Sequence, residues 1–120
     1  MRHTFYQTRL RDALSRADVV LANPTHYAVA LAYEPWKSDA PVVVTKGRAH
    51  RALRIRELAG ELGVPVVESP PLARDLFHSV REGEPVPGRL YRAVAEVLAY
   101  LYRVHGYRPR GGPKAKEARL

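Results

Sequence analysis

The stretch ADVVLANPTHYAVAL, residues 17–31, decides how this chain folds. Val19-Val20-Leu21-Ala22 is a short, continuous apolar run of the kind that forms a buried strand, and His26 to Tyr33 is a second, with β-branched and aromatic members. Between them stands Asn23-Pro24-Thr25-His26, so the chain leaves one apolar strand through Asn-Pro and enters another almost at once. A tight turn is the ordinary explanation, because Asn and Pro both favour turns.

Working outward, the segment from Thr4 to Ser15 is polar and basic, with Leu10 and Leu14 scattered through it. It reads as a linker helix that builds little core. Downstream, Glu34 to Pro41 reads as a loop and Val42-Val43-Val44-Thr45 as a third strand. After Lys46-Gly47 the period changes. Ala52, Ile55, Leu58, Ala59 and Leu62 share one helical face, and Gly63 is a natural left-handed cap with Pro65 just beyond it. Val64 to Val67 is a fourth short strand. Ser69-Pro70-Pro71 opens a short helix with Ser69 as N-cap and Leu72, Leu76 and Phe77 on one side. The segment from Glu82 to Gly88 breaks it, and Leu90, Val94, Val97, Leu98 and Leu101 mark a last amphipathic helix from Arg89 to about Arg103. The expected fold is α/β: a small four-stranded mixed sheet packed by surrounding helices, with a basic N-terminal linker helix and a disordered C-terminal tail. Three parts are expected, a basic linker over 1–16, a folded domain over 17–104 and a basic tail over 105–120.

One hundred and twenty residues, 46% apolar, suffice for one domain with a real core. No cysteine is present, which removes disulfides and thiolate metal sites. No stretch is long and apolar enough to span a bilayer, and the N-terminus lacks a signal-peptide apolar run. The net charge of +8 would suggest a nucleic-acid or membrane partner if it lay on the folded part. It does not: residues 1–16 carry +3, residues 103–120 carry +5, and the stretch between them has ten basic and ten acidic residues. Arg48, Arg51 and Arg54 form a local ridge at helical spacing, read here as a solvated helix face.

Asn23-Pro24 also has a reactive reading. The usual fate of a labile asparagine is deamidation through attack by the next backbone nitrogen, but Pro24 carries no N–H. The remaining route is attack of the Asn23 side-chain amide on its own main-chain carbonyl, which forms a succinimide and expels the proline nitrogen. That breaks the chain. A fold that holds a near-attack geometry and protonates the leaving nitrogen would accelerate it, and Thr25 and His26 offer a hydroxyl and an imidazole beside the bond. On residue chemistry alone both readings stay open, because most Asn-Pro bonds in turns are stable. His3, His26, His50, His78 and His105 have no metal-ligand spacing, and there is no phosphate loop or serine elbow; no cofactor and no metal are expected.

The same stretch resembles the signature of the FlhB/YscU family, export-switch proteins of flagellar and virulence type III secretion systems. The similarity continues in order through APVVVTKG (40–47), ALRIRELAGELGVPVVESPPLARDL (52–76) and VPGRLYRAVAEVLAYLYRV (86–104). It covers about Ala17 to Val104. The resemblance implies a single autoproteolytic event in cis, without turnover on external substrates. Asn23 would be the cyclising residue and Pro24 the new N-terminus, with Thr25 and His26 completing the motif. It implies that the two pieces stay associated and that cleavage accompanies a switch in export-substrate specificity. The implied partners are other export-apparatus proteins and export substrates, at the cytoplasmic face of the bacterial inner membrane, with no nucleic acid and a monomeric isolated domain. Two departures stand out. Family members normally carry an N-terminal membrane domain, so this chain is expected to be either a cytoplasmic fragment or a stand-alone homologue of that half, its +3 arm suiting a juxtamembrane linker. Ser69 also stands where many members have Asn before the paired prolines. The reading from a different class is a small basic RNA- or protein-binding module that uses the Arg48, Arg51 and Arg54 ridge.

Overall fold

In the computed structural model, residues 2–24, 26–33 and 39–106 are described. The elements run α1 (Arg2–Ser15), β1 (Val19–Asn23), β2 (Tyr27–Ala32), β3 (Val42–Arg48), α2 (His50–Leu62), β4 (Val66–Glu68), α3 (Pro70–Ser79) and, after a 3-10 turn at Gly88–Leu90, α4 (Tyr91–His105). The sheet order is β3-β2-β1-β4. β1 pairs antiparallel with β2 and parallel with β4, and β2 pairs antiparallel with β3, so the sheet is mixed, as expected. The expected loop over 34–41 and the tail from 105 fall largely outside the described residues.

The apolar runs arise because the sheet is covered on both faces. Side chains alternate along a strand, so Val20 points to one face while Val19 and Leu21 point to the other. On the first face Val20, Ala28, Ala30 and Val44 pack against Ala52, Ile55, Leu58 and Ala59 of α2. On the second, Val19, Leu21, Val29, Leu31 and Val43 meet Leu72 and Leu76 of α3 and Val94 and Leu101 of α4. A register shift at Ala30/Leu31 leaves Val44 as the extra residue of β3 and sets Val43 opposite Leu31, both in the second cluster, while Val44 lies in the first.

Several local expectations are corrected. α1 is not a poor core builder: Leu10 and Leu14, one helical turn apart, are buried in the first cluster. The fourth strand covers Val66–Glu68 rather than 64–67, since Val64 is buried among the α2 side chains before the chain reaches the sheet. Ser69 precedes α3 but makes no side-chain cap, and its N–H instead donates to the Ala22 carbonyl at 2.9 Å. His26 belongs to the turn, because pairing with β1 begins only at Tyr27. Gly63 does adopt the left-handed conformation at the end of α2 (φ 76°).

Candidate functional site

The site is the turn between β1 and β2. Asn23 is the last residue of β1 and pairs with Tyr27. The His26 N–H donates to the Asn23 carbonyl at 2.8 Å, which closes a four-residue turn with Pro24 at its second position, where a fixed φ near −65° is suited. Thr25 lies outside the described residues. Asn23 and Pro24 are half-buried and His26 is exposed.

The turn is tied to α2 and to the residue before it. Arg56 donates Nη1 to the Pro24 carbonyl at 2.8 Å, and the Ala49 N–H donates to the His26 carbonyl at 3.1 Å. Ala49 does so from φ 54° and ψ −125°, a conformation that glycine adopts easily and alanine does not. Alanine strained beside this turn is the kind of local cost that surrounding structure must over-determine.

On the other side, the Tyr27 ring lies 4.7 Å from that of Phe77, and its hydroxyl is 3.2 Å from Nε2 of His78. Phe77 is fixed in turn by Lys46. The Lys46 ammonium donates to the carbonyls of Phe77 (2.7 Å) and Val80 (2.8 Å) and sits 4.9 Å from the Phe77 ring centre. A cation there satisfies carbonyls that the end of α3 leaves without helical partners. A cleft of about 530 Å³ opens beside Asn23, lined by Pro70, Pro71, Arg74, Asp75 and His78. Asp75 is held in place by a two-pronged bond from Arg89 (2.8 and 2.9 Å) and by the Ser79 hydroxyl (2.8 Å). Those bonds, Arg89 first, hold its carboxyl down to about 2 from the ordinary 3.8.

Of the four residues singled out from sequence, Asn23, Pro24 and His26 come together in one turn. The group from His26 that reaches the Asn23 carbonyl is its backbone N–H. Arg56, Ala49, Tyr27, Phe77 and Lys46 were missed. They lie up to fifty-four residues from Asn23 in the chain, and no local pattern brings them together. The Arg48, Arg51 and Arg54 ridge is largely occupied internally: Arg51 bonds the Lys46 carbonyl and Thr45 and faces Glu82, and Arg54 pairs with Glu57. Among the described residues no cluster of three or more metal-ligating side chains occurs, and no helix is long and apolar enough to cross a membrane.

The arrangement is that of a small α/β domain whose central strand ends in a pinned Asn-Pro turn. The pattern of the FlhB, HrpN, YscU and SpaS family matches residues 1–101, and the chain belongs to that family. It is 46% identical over 114 residues to the flagellar biosynthetic protein FlhB of Salmonella typhimurium, covering 95% of this chain and 30% of that protein. It is 43% identical over 95 residues to the hypersensitivity response secretion protein HrcU of Ralstonia nicotianae, covering 79% of this chain and 26% of that protein. The chain thus spans less than a third of the length of these relatives. Among solved structures, the cytoplasmic domain of FlhB from Shewanella putrefaciens is similar with a TM-score of 0.76 at 39% identity, covering 88% of this chain and 84% of that one. A mutant EscU C-terminal domain is similar with a TM-score of 0.80 at 27% identity, covering 83% and 92%.

Proposed function

We propose that this domain acts in a type III protein-export apparatus at the cytoplasmic face of the bacterial inner membrane, where it cleaves itself once between Asn23 and Pro24. The observation that carries the cleavage is the 2.8 Å hydrogen bond from the His26 N–H to the Asn23 carbonyl, at a bond whose proline nitrogen closes the deamidation route. As the Asn23 amide nitrogen attacks the Asn23 carbonyl carbon, negative charge grows on that carbonyl oxygen, where a fixed backbone donor already points. The new C–N bond closes the succinimide, and the bond to Pro24 breaks with its electron pair passing to the proline nitrogen. The amide gives up one proton and the proline nitrogen takes one, the exposed His26 imidazole or water serving as carrier. Water then opens the succinimide, leaving a free C-terminus on the first piece. In this reading Thr25 belongs to the motif through its hydroxyl beside the bond in sequence.

The functional consequence is a changed surface on an unchanged fold. β1 lies between β2 and β4 with Val19, Val20, Leu21 and Ala22 all fully buried, so the cut strand has every reason to stay. The altered turn would then report completion of an early export stage to other apparatus proteins and to the export substrates that follow. Fragment masses from the purified wild-type chain on a denaturing gel test the chemistry: pieces ending at Asn23 and beginning at Pro24 are expected, with Asn23→Ala intact. A wild-type chain still whole after days at neutral pH refutes self-cleavage.

A further inference from the structure

We infer that Arg56 is a positioning residue for the cleavage, setting the geometry of the Asn23–Pro24 bond from the proline side; this rests on the self-cleavage reading above. Among the described residues of the turn, the carbonyls of Asn23, Pro24 and His26 are held, and each hold does something different. The Asn23 carbonyl takes its bond from within the turn, from His26. The His26 carbonyl takes its bond from Ala49, which fixes the far end of the turn. The Pro24 carbonyl alone is gripped by a side chain, Arg56 Nη1 at 2.8 Å, reaching thirty-two residues back in sequence from α2.

Pro24 has its φ fixed by the ring, so its one soft backbone dihedral is ψ. Holding the Pro24 carbonyl sets that dihedral. The bonds from Arg56 to the Pro24 carbonyl and from Ala49 to the His26 carbonyl tie the turn to α2 and to the residue before it, which favours the closed turn in which the His26 N–H meets the Asn23 carbonyl. A closed turn keeps the Asn23 carbonyl against the His26 N–H, one of the elements a near-attack geometry requires. Arg56 suits the task because its half-buried guanidinium presents its donors in a rigid fork. Its base is also firm: α2 packs through Ala52, Ile55, Leu58 and Ala59 into the first core cluster, with Ile55 directly preceding Arg56. Arg56 touches neither the attacking nitrogen nor the carbon attacked, so its action runs entirely through Pro24.

The contact also lies wholly within the piece that begins at Pro24, whereas the bond from His26 to Asn23 crosses the cut. Arg56 therefore holds the new proline end against α2 after cleavage, while the other bond is free to break.

The test compares cleavage half-times of the wild type, Arg56→Met and Arg56→Lys by densitometry of denaturing gels, with thermal unfolding of each variant in the Asn23→Ala background as a control on folding. Loss of the donor should slow Arg56→Met by about tenfold to hundredfold, the scale expected for a small misplacement of reacting groups. Arg56→Lys should recover a substantial part of the rate because it restores a charged donor. In the Asn23→Ala background, Arg56→Met should speed hydrogen exchange of the His26 amide while core amides are unchanged. If the wild type cleaves and Arg56→Met matches it, or if Arg56→Lys is as slow as Arg56→Met, the positioning role is refuted. If the wild type itself does not cleave, the cleavage reading fails instead. The exchange measurement still decides on its own whether Arg56 holds the turn, and unchanged His26 exchange overturns the proposal.

Discussion

Cutting the chain at Asn23 should convert a one-molecule folding equilibrium into a two-molecule one, and the consequence can be worked through. The piece 1–23 contributes α1 and β1, whose Leu10, Leu14, Val19, Val20 and Leu21 are all buried. At about 1.5–3 kcal/mol for each fully buried large apolar side chain, these five amount to roughly 8–15 kcal/mol of gross burial, before counting the ladders β1 makes on both edges. The cost of bringing two separate pieces together opposes this. In the intact protein a three-residue connection between the paired Asn23 and Tyr27 holds the strands at an effective concentration of at least the millimolar order. At about 1 µM protein, losing that connection weakens the folded state by about 4 kcal/mol, the free energy of a thousandfold concentration ratio. For a domain of this size the unfolding midpoint should fall by on the order of 15 °C. The assay is differential scanning calorimetry of the cleaved protein beside Asn23→Ala, with gel filtration on the same samples. The cleaved form should elute as one species and gain roughly 5 °C per tenfold rise in concentration, while Asn23→Ala shows no concentration dependence. Separation of the pieces at about 1 µM would refute the argument that β1 burial retains them. A midpoint identical to that of Asn23→Ala at every concentration would refute the two-molecule account.

Two further outcomes follow from the surroundings of the turn. Ala49→Gly relieves an alanine held at φ 54°, and should stabilise the fold by about 1 kcal/mol, seen as a higher urea midpoint at unchanged slope; a lower midpoint would mean that Ala49 is not strained. Asp75 is bonded to Arg89 and Ser79 with its carboxyl at about 2, so its contribution is full above the ordinary carboxylate value and is lost as pH falls from about 4 to about 2. Because the pair is exposed to solvent, the effect should be small. The melting temperatures of wild type and Asp75→Asn should therefore converge over that pH window, and a constant gap would refute the linkage.

The sheet was legible because both of its faces are buried. A strand covered on both sides needs apolar residues at every position, and the runs from Val19 to Ala22 and from Val42 to Val44 have that form. The reading of α1 failed for a related reason. A helix that contributes only Leu10 and Leu14 to a core looks polar along most of its length, and the sequence does not reveal that α2 and the sheet offer those two leucines a place. The turn was legible only in part. Asn23 and Pro24 are adjacent, and the consequence of a missing N–H can be deduced from that pair alone. What acts on them is set by topology: α2 starts beside the turn because β3 ends opposite Tyr27, which brings Ala49 and Arg56 within reach.

That topology also accounts for why a chain break can be confined to one surface. On the far side of Asn23, β1 is an interior strand whose Ala22 carbonyl accepts the Ser69 N–H, so the strand is held up to the residue before the cut. On the near side Tyr27 is braced by Phe77, and Phe77 by Lys46. Both flanks are therefore held by contacts that do not run through the Asn23–Pro24 bond. Among the described residues of the turn, the hydrogen bonds from Arg56 and Ala49 do not involve Asn23, whereas the one from His26 joins the two pieces. In the proposed cleavage, His26 would be able to give up that contact while the bonds from Arg56 and Ala49 and the ladder of β1 remain available. A cut at this bond would therefore alter the turn while leaving the packing beneath it in place, its cost being the lost linkage between the two pieces.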